Sequence, residues 1–219
     1  MPANIFIVGP QCTGKTTLVL ALENHLTSSG VTDEPLAVIH EIVRDVMSSS
    51  GLSAHNFGSC EWHRLQWLTL QAQCFAEKEL DGRWFVSDRS GIDPVVYAQL
   101  NGHNDGDLRD TSHWKACRQR MQDGLVILCE AGNMAWLSSD AVRLRYNDSA
   151  DWEALNGHFS TLLEEEDIRF NVLRKSVVCM KERLDFVVAK LILNGKSKLS
   201  VTKGVPMGQK SDQEWISRE

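Results

Sequence analysis

Residues Gly9 to Thr16 read GPQCTGKT, which fits the G-x-x-x-x-G-K-[ST] spacing of a phosphate-binding loop. Gly9 and Gly14 lack a Cβ, so the backbone can turn its N–H groups inward around a polyphosphate. The Lys15 ammonium group would reach the β- and γ-phosphates of ATP or GTP, and the Thr16 hydroxyl would bind Mg²⁺. The alternative is a glycine-containing strand–helix turn without a ligand. The predicted nucleotide contacts are Gly9, Gln11, Cys12, Thr13, Gly14, Lys15, Thr16 and Thr17.

Two further acids end apolar runs of the chain. Leu36–Glu41 (LAVIHE) ends in Glu41, and Trp84–Asp88 (WFVSD) ends in Asp88. In an open parallel sheet, ligands bind at the carboxyl ends of the strands, so both acids are expected to face the phosphate loop. Asp88 could hold Mg²⁺ and Glu41 could take a proton from a substrate hydroxyl. The alternative is that each acid caps the element that follows it.

The elements that must position these residues alternate along the chain between short apolar runs and longer helical ones. This alternation predicts an α/β fold with a parallel sheet covered on both faces. The predicted strands are Ile5–Val8, Leu36–Glu41, Trp84–Asp88, Leu125–Glu130 and Ile168–Leu173. The predicted helices span 15–28, 41–48, 60–81, 94–100, 151–166 and 176–193. Residues 1–193 would form one nucleotide-binding domain, followed by a polar tail at 194–219.

Two polar loops interrupt this pattern. Asn101–Asp110 is glycine-rich, and Ser138–Ala150 carries Arg143 and Arg145. Arginines that close over a transferring phosphoryl group stabilise its negative charge, so we expect a lid at about residues 135–150. The alternative is an exposed basic loop whose surface ion pairs contribute little.

Composition narrows the class of protein. The net charge of -6 and the pI near 5.7 argue against binding to a nucleic-acid backbone, which needs clustered Lys and Arg. No apolar stretch approaches the ~20 residues that span a bilayer, and the N-terminal residues lack the pattern of a signal peptide. The six scattered cysteines form no C-x-x-C pair. We therefore expect a cytoplasmic protein with reduced thiols; its oligomeric state is not fixed by the sequence.

The phosphate loop, E-I-V-R at Glu41–Arg44 and S-D-R-S-G-I-D-P-V-V-Y at Ser87–Tyr97 together resemble the AAA-like branch of P-loop kinases. This branch includes the nicotinamide riboside kinase domain of bacterial NAD regulators; thymidylate and deoxynucleoside kinases are more distantly similar. The resemblance covers roughly residues 4 to 193. It implies a five-stranded parallel sheet of order 2-3-1-4-5 with helices on both faces and a mobile lid. It also implies Asp88 as the Mg²⁺-binding acid, Arg89 as a phosphate-contacting arginine and Glu41 as the base.

Four more residues are candidates for the acceptor site. Asp93 lies where the family places a substrate-facing Asp, although Asp93-Pro94 is also a good helix start. Arg44 lies one helical turn from Glu41, so it could steer an anionic substrate or pair with Glu41. In similar kinases the helix at 60–81 lines the acceptor pocket, which suggests Trp67 for ring stacking and Gln73 for amide recognition. The core stripe expected on this helix is Trp62, Leu65, Leu68, Ala72 and Phe75.

Three functions fit these residues. The first is a kinase that transfers the γ-phosphate of ATP or GTP to a hydroxyl of a nucleoside-like or other small acceptor. The second is a nucleotide-binding regulatory or adaptor protein with little or no turnover. The third is a GTPase, because Asp88–Gly91 matches D-x-x-G, but no N-K-x-D motif is present to read guanine. Retention of Glu41, Asp88 and the lid arginines favours the kinase.

Overall fold

The computed structural model describes residues 3–28, 36–53, 60–100, 106–137 and 149–202. The strands are β1 (Ile5–Val8), β2 (Ala37–Ile39), β3 (Phe85–Asp88), β4 (Leu125–Cys129) and β5 (Phe170–Leu173). The helices are α1 (Lys15–Ser28), α2 (Ile42–Ser50), α3 (Cys60–Glu79), α4 (Ile92–Gln99), α5 (Gly106–Arg109), α6 (Ser112–Asp123), α7 (Ser149–Glu165) and α8 (Met180–Thr202). A 3-10 turn, Met134–Trp136, follows β4.

The five strands form one parallel sheet of order β2-β3-β1-β4-β5, which confirms the predicted order 2-3-1-4-5. At the centre, Ile5 of β1 lies between Val86 of β3 and Leu125 of β4. All four residues of β1 are fully buried. Because side chains alternate across a strand, a strand buried on both faces needs an unbroken apolar run, and IFIV provides it.

The two faces of the sheet have separate cores. Phe6 and Val8 pack into a cluster with apolar residues of α2, α3, α4, α6 and α7. Ile5 and Ile7 point the other way, into a cluster with α1 and α8. The result is the predicted arrangement of a parallel sheet with helices on both faces. In the described part of the chain, no helix has the length and apolarity needed to cross a bilayer.

Some predicted boundaries are wrong. Helix α6 was not predicted; Thr111 caps it by accepting a hydrogen bond from the Trp114 N–H at 3.0 Å, and Trp114, Cys117 and Met121 form its buried stripe. Helix α5 occupies part of the expected loop Asn101–Asp110. Helix α8 starts later than expected and continues past 193 to Thr202, into the segment expected to be a polar tail.

Candidate active site

The phosphate loop joins β1 to α1 and has the strained backbone that its motif requires. Gly9 and Gly14 have φ values of 126° and 75°. A Cβ on Gly9 would lie 2.6 Å from the carbonyl oxygen of Cys129, so both the conformation and the close approach to β4 need glycine. Cys12 adopts a positive φ of 60° without being glycine. Strain of this kind is concentrated at ligand-binding loops.

Lys15 lies buried at the start of α1, inside this loop. Its ammonium group donates hydrogen bonds to the carbonyl oxygens of Gly9 at 2.8 Å and Pro10 at 2.6 Å. Burial and the nearby charge of Arg89 lower the pKa of Lys15 to about 8. An incoming phosphate would favour the charged form and offer stronger acceptors than the two carbonyls.

Side chains from three distant helices hold the outer side of the loop. The Gln11 N–H donates to the Tyr97 hydroxyl at 3.1 Å, and the Gln11 carbonyl accepts from Trp152 Nε1 at 2.8 Å. Arg183 Nη2 donates to the Thr13 carbonyl at 2.8 Å. None of these three residues was predicted from the sequence to contact the loop. Only Tyr97 had a local signal, because it ends the motif that starts at Ser87.

Thr16 and Asp88 form a pair suited to Mg²⁺. The Thr16 hydroxyl donates to Asp88 Oδ2 at 2.6 Å, while Asp88 Oδ1 is buried and has no hydrogen-bond partner. A buried carboxylate oxygen without a partner is costly unless a cation or donor reaches it. Mg²⁺ usually takes one or two protein oxygens together with substrate phosphates and water, and these two residues fit that pattern. No cluster of three His, Cys, Asp or Glu side chains that could hold a metal alone occurs in the described ranges.

Arg89 is the centre of an ion-pair network beside the loop. Its backbone has a φ of 87°, and its N–H donates to the Ile7 carbonyl at 2.9 Å. Arg89 Nε and Nη2 donate to Glu41 Oε1 at 2.9 and 2.6 Å, and Nη1 donates to Asp93 Oδ1 at 3.1 Å. Arg44 Nε donates to the other Glu41 oxygen, Oε2, at 2.6 Å. The network joins the ends of β2 and β3 to the start of α4.

Glu41 is held as a carboxylate by this network. It precedes α2 but makes no capping hydrogen bond, so its side chain serves the arginines and not the helix. Burial raises the pKa of Glu41, but Arg89 and Arg44 more than offset this effect and lower the pKa to about 2. The expectation that Arg44 could pair with Glu41 is therefore met by the geometry.

Asp93 has a different position in its helix from the one predicted. Helix α4 begins at Ile92, before Asp93, so Asp93 is not the residue that precedes the helix. Its Oδ2 accepts from the Ser90 N–H at 3.0 Å, and Ser90 Oγ lies 3.4 Å from the Ile92 N–H, which resembles a capping box. Burial raises the pKa of Asp93, although Arg89 and Lys15 oppose this shift.

A cavity opens next to this network, between α2, α3 and α4. The cavity is a cleft that is open to solvent on one side. Its lining residues are Gln11, Glu41, Val43, Arg44, Met47, Trp62, Leu65, Gln66, Thr69, Arg89, Asp93, Pro94 and Tyr97. A groove along the phosphate loop shares Gln11, Glu41, Arg44 and Arg89 with it. The two depressions therefore meet at the ion-pair network.

The α3 residues that line this cavity are not the two that were predicted. Trp67 and Gln73 are not among the lining residues; Trp62, Gln66 and Thr69 are. Trp67 is half-buried against the core, and the Gln73 amide donates to Glu77 at 3.0 Å and to Ser87 at 3.1 Å behind β3. Phe75, expected in the core stripe, is 56% exposed.

Most of the predicted lid falls between two described ranges of the chain. Arg143 and Arg145 lie outside the described residues, as does the range 138–148. The described chain reaches the 3-10 turn Met134–Trp136 on one side and resumes with α7 on the other. Asn156 of α7 bonds both backbone groups of Ala131, with its Oδ1 2.8 Å from the N–H and its Nδ2 3.2 Å from the carbonyl oxygen. This pair of hydrogen bonds joins α7 to the segment that follows β4.

Solved structures of two kinases have a similar fold. The structure of deoxyadenosine kinase from M. mycoides with the products dCMP and a flexible dCDP bound superimposes with a TM-score of 0.60 at 15% identity, covering 86% of this chain and 98% of that one. The same enzyme with bound dATP gives a TM-score of 0.56 at 15% identity over the same shares. Shikimate kinase from Aquifex aeolicus gives 0.50 at 14% identity, covering 88% and 98%. At such identities the likeness establishes the fold alone.

Family membership rests on the sequence itself. No curated protein sequence is significantly similar to this one. A family profile described as an AAA domain matches residues 4–183, from the first strand to the arginine of α8 that holds the phosphate loop. Together with the P-loop kinase topology of the sheet, this match shows that the chain belongs to the AAA domain family of P-loop proteins.

Proposed function

We propose that this protein transfers the γ-phosphate of ATP or GTP to a hydroxyl group of a small, uncharged acceptor resembling a nucleoside. The observation that carries the proposal is the meeting of two depressions at one ion-pair network. The phosphate groove and the cavity share Gln11, Glu41, Arg44 and Arg89. A donor phosphate in the groove and an acceptor in the cavity would therefore approach each other at Glu41 and Arg89, as direct transfer requires.

The proposed roles follow from the positions of the side chains. Lys15 and the loop N–H groups bind the phosphates, and Arg89 stabilises charge on the transferring group. Thr16 and Asp88 would hold Mg²⁺, whose chemistry when bound is to neutralise charge on the phosphate oxygens. Glu41 accepts the proton of the acceptor hydroxyl, and Arg143 or Arg145 completes the site from the lid. The roles of Glu41 and of the lid arginines in this proposal are the ones predicted from the sequence.

The charge and shape of the cavity favour an uncharged acceptor. Two arginines and two carboxylates border it, and they pair with one another: Arg89 with Glu41 and Asp93, and Arg44 with Glu41. The rest of the lining includes the apolar side chains of Met47, Trp62 and Leu65, together with Gln66. An apolar ring with a few polar atoms and a hydroxyl matches such a lining. Among the proteins of the same fold, deoxyadenosine kinase is described with nucleotide products bound.

A second function has one observation in its favour. Both oxygens of Glu41 already accept hydrogen bonds from arginines, and a pKa of about 2 makes a carboxylate a weak base. A site that binds nucleotide but turns over slowly, as in a regulatory or adaptor protein, would be consistent with that arrangement. The kinase remains the better-supported function, because the acceptor cavity has no role in an adaptor that only binds nucleotide.

The test is phosphate transfer by the purified protein. Labelled ATP and GTP with Mg²⁺ are offered against a panel of ribonucleosides, deoxyribonucleosides, nucleoside-like vitamins and shikimate, and each acceptor is analysed for added phosphate by mass. We expect transfer to at least one uncharged nucleoside-like acceptor and none with Lys15→Ala. Nucleotide-dependent stabilisation without transfer to any acceptor would favour the regulatory protein. Transfer to shikimate alone would contradict the uncharged acceptor.

A further inference from the structure

Arg183 is a buried cation on the outer side of the phosphate loop. It extends from α8, and only 1% of the residue is exposed. Within the described ranges it has no carboxylate partner: its contacts are the carbonyl oxygens of Thr13 at 2.8 Å and Val177 at 3.3 Å, and the Cys129 sulfur at 3.6 Å. Its Nε is buried without a hydrogen-bond partner. By contrast, Arg89 beside the phosphate loop has two carboxylate partners, Glu41 and Asp93.

An uncompensated buried charge needs an explanation. Transfer of a guanidinium group from water into a protein interior is unfavourable unless charge and hydrogen bonds offset it. Two neutral carbonyls and the ring of Trp136, whose centroid lies 4.8 Å from the guanidinium carbon, offset only part of it. The ligand-free protein therefore retains an excess of positive charge at this point.

The Arg183 guanidinium is connected to the phosphate site by a single peptide group. The Thr13 carbonyl that accepts from Arg183 belongs to the same peptide as the Gly14 N–H, which the loop motif turns towards phosphate. A cation that donates to a peptide carbonyl polarises the N–H of that peptide and strengthens its own hydrogen bonds. The same cation also attracts a polyphosphate directly through a poorly screening interior.

We infer that Arg183 is a positioning residue of the donor site, which strengthens phosphate binding through the Thr13–Gly14 peptide and has its missing counter-charge supplied by the bound polyphosphate. The inference rests on the proposed nucleotide binding and is independent of the acceptor and of turnover. Through Arg183, α8 affects the affinity for the phosphate donor directly, although α8 lies outside the phosphate-loop motif.

Three substitutions separate charge from structure. Arg183→Lys keeps a cation, Arg183→Gln keeps a hydrogen-bond donor without charge, and Arg183→Met keeps only an apolar stem. The probes are inorganic tripolyphosphate and ATP, each with Mg²⁺, titrated by calorimetry at two salt concentrations. The unfolding temperature of each ligand-free variant shows whether it folds. Arg118→Met is the matched control. Arg118 is an arginine of α6 that has a carboxylate partner, Glu166, at 2.9 Å.

We expect the affinity for both probes to decrease in the order wild type, Arg183→Lys, Arg183→Gln, Arg183→Met. The Arg183→Gln variant should bind both probes roughly tenfold or more weakly than the wild type, which is the usual effect of losing a charge-assisted hydrogen bond. The decrease should be the same for tripolyphosphate and ATP, because Arg183 acts on the phosphates, and it should be smaller at high salt. Arg118→Met should bind as wild type does.

A structural role alone predicts a different pattern. If Arg183 only ties α8 to the loop, Lys and Gln variants will bind tripolyphosphate equally well, and any weakening will follow the loss of ligand-free stability. Equal affinities of these two variants would overturn the inference while leaving the proposed function intact. Failure of the wild type to bind either probe would overturn the nucleotide site itself, and the inference with it.

Discussion

Replacement of Glu41 by Gln tests the ion-pair network on which the site depends. The carboxylate accepts from Arg89 at 2.6 and 2.9 Å and from Arg44 at 2.6 Å. Gln offers one acceptor oxygen and places an amide N–H₂ against a guanidinium group. Among the described residues, Arg89, whose side chain is 12% exposed, then keeps only Asp93 as a carboxylate partner.

The magnitude follows from the pKa of Glu41. A shift from 4.5 to about 2 corresponds to about 3 kcal/mol of preferential stabilisation of the carboxylate in the folded protein. Because the folded pKa is lower than the unfolded one, this stabilisation is complete above pH 4.5 and is lost as the pH falls towards 2. Near neutral pH, Glu41→Gln should therefore lower the free energy of unfolding by about 3 kcal/mol. For a chain of this size, that means a decrease in Tm of roughly 6–12 °C.

The assay is urea unfolding of wild type and Glu41→Gln at several pH values between 7 and 3. The difference between the two free energies should decrease as the pH falls below 4.5. Glu153→Gln is the control, since Glu153 forms a half-exposed ion pair with Lys175, and the loss of such a solvent-exposed pair should change stability little. Equal stabilities near neutral pH, or a difference that does not change with pH, would refute the electrostatic reasoning.

Other substitutions test separate parts of the site. Asp88→Asn should weaken Mg²⁺ dependence and turnover together, measured by titrating Mg²⁺ in the transfer assay, because it removes the charge of the acid bound to Thr16. Gly91→Ala should destabilise the fold by roughly 1–3 kcal/mol in urea unfolding, since its Cβ would lie 2.6 Å from the Cys117 Cβ. Arg143→Ala or Arg145→Ala should lower kcat and kcat/KM alike by roughly 10²–10³ if one of them meets the transferring phosphate; full activity in both variants would remove the lid from the proposal.

The parts of the site that could be predicted from the sequence are those set by local backbone rules. The phosphate loop needs its glycines at fixed spacing, and the acids that follow β2 and β3 reach the same edge because parallel strands end together. In the structure, Lys15 and Glu41 line the groove along the phosphate loop, and Asp88 accepts a hydrogen bond from Thr16 of that loop. The sheet order itself came from the family resemblance, because no local rule determines which strand lies at the centre.

The face of α3 shows why the rest could not be predicted. Polar residues such as Gln66, Thr69 and Gln73 are buried on this helix, whereas Phe75 is exposed, so apolar spacing does not identify its inner face. The orientation is set by partners far along the chain, such as Tyr97, whose carbonyl accepts from Trp62 Nε1 at 2.9 Å. Arg183 is an extreme case, since it lies 170 residues from the carbonyl that it binds.

The backbone of Gln11, which is held at both its N–H and its carbonyl group, affects the entropy of ligand binding. Its N–H is fixed by Tyr97 and its carbonyl by Trp152, so this part of the loop is ordered before any nucleotide arrives. Ordering a free backbone residue opposes binding by roughly 1–2 kcal/mol. Here that ordering happens during folding, and the ligand meets a preformed surface. Donor affinity therefore depends on how well the interior around α4 and α7 is packed, at residues that no nucleotide atom needs to touch.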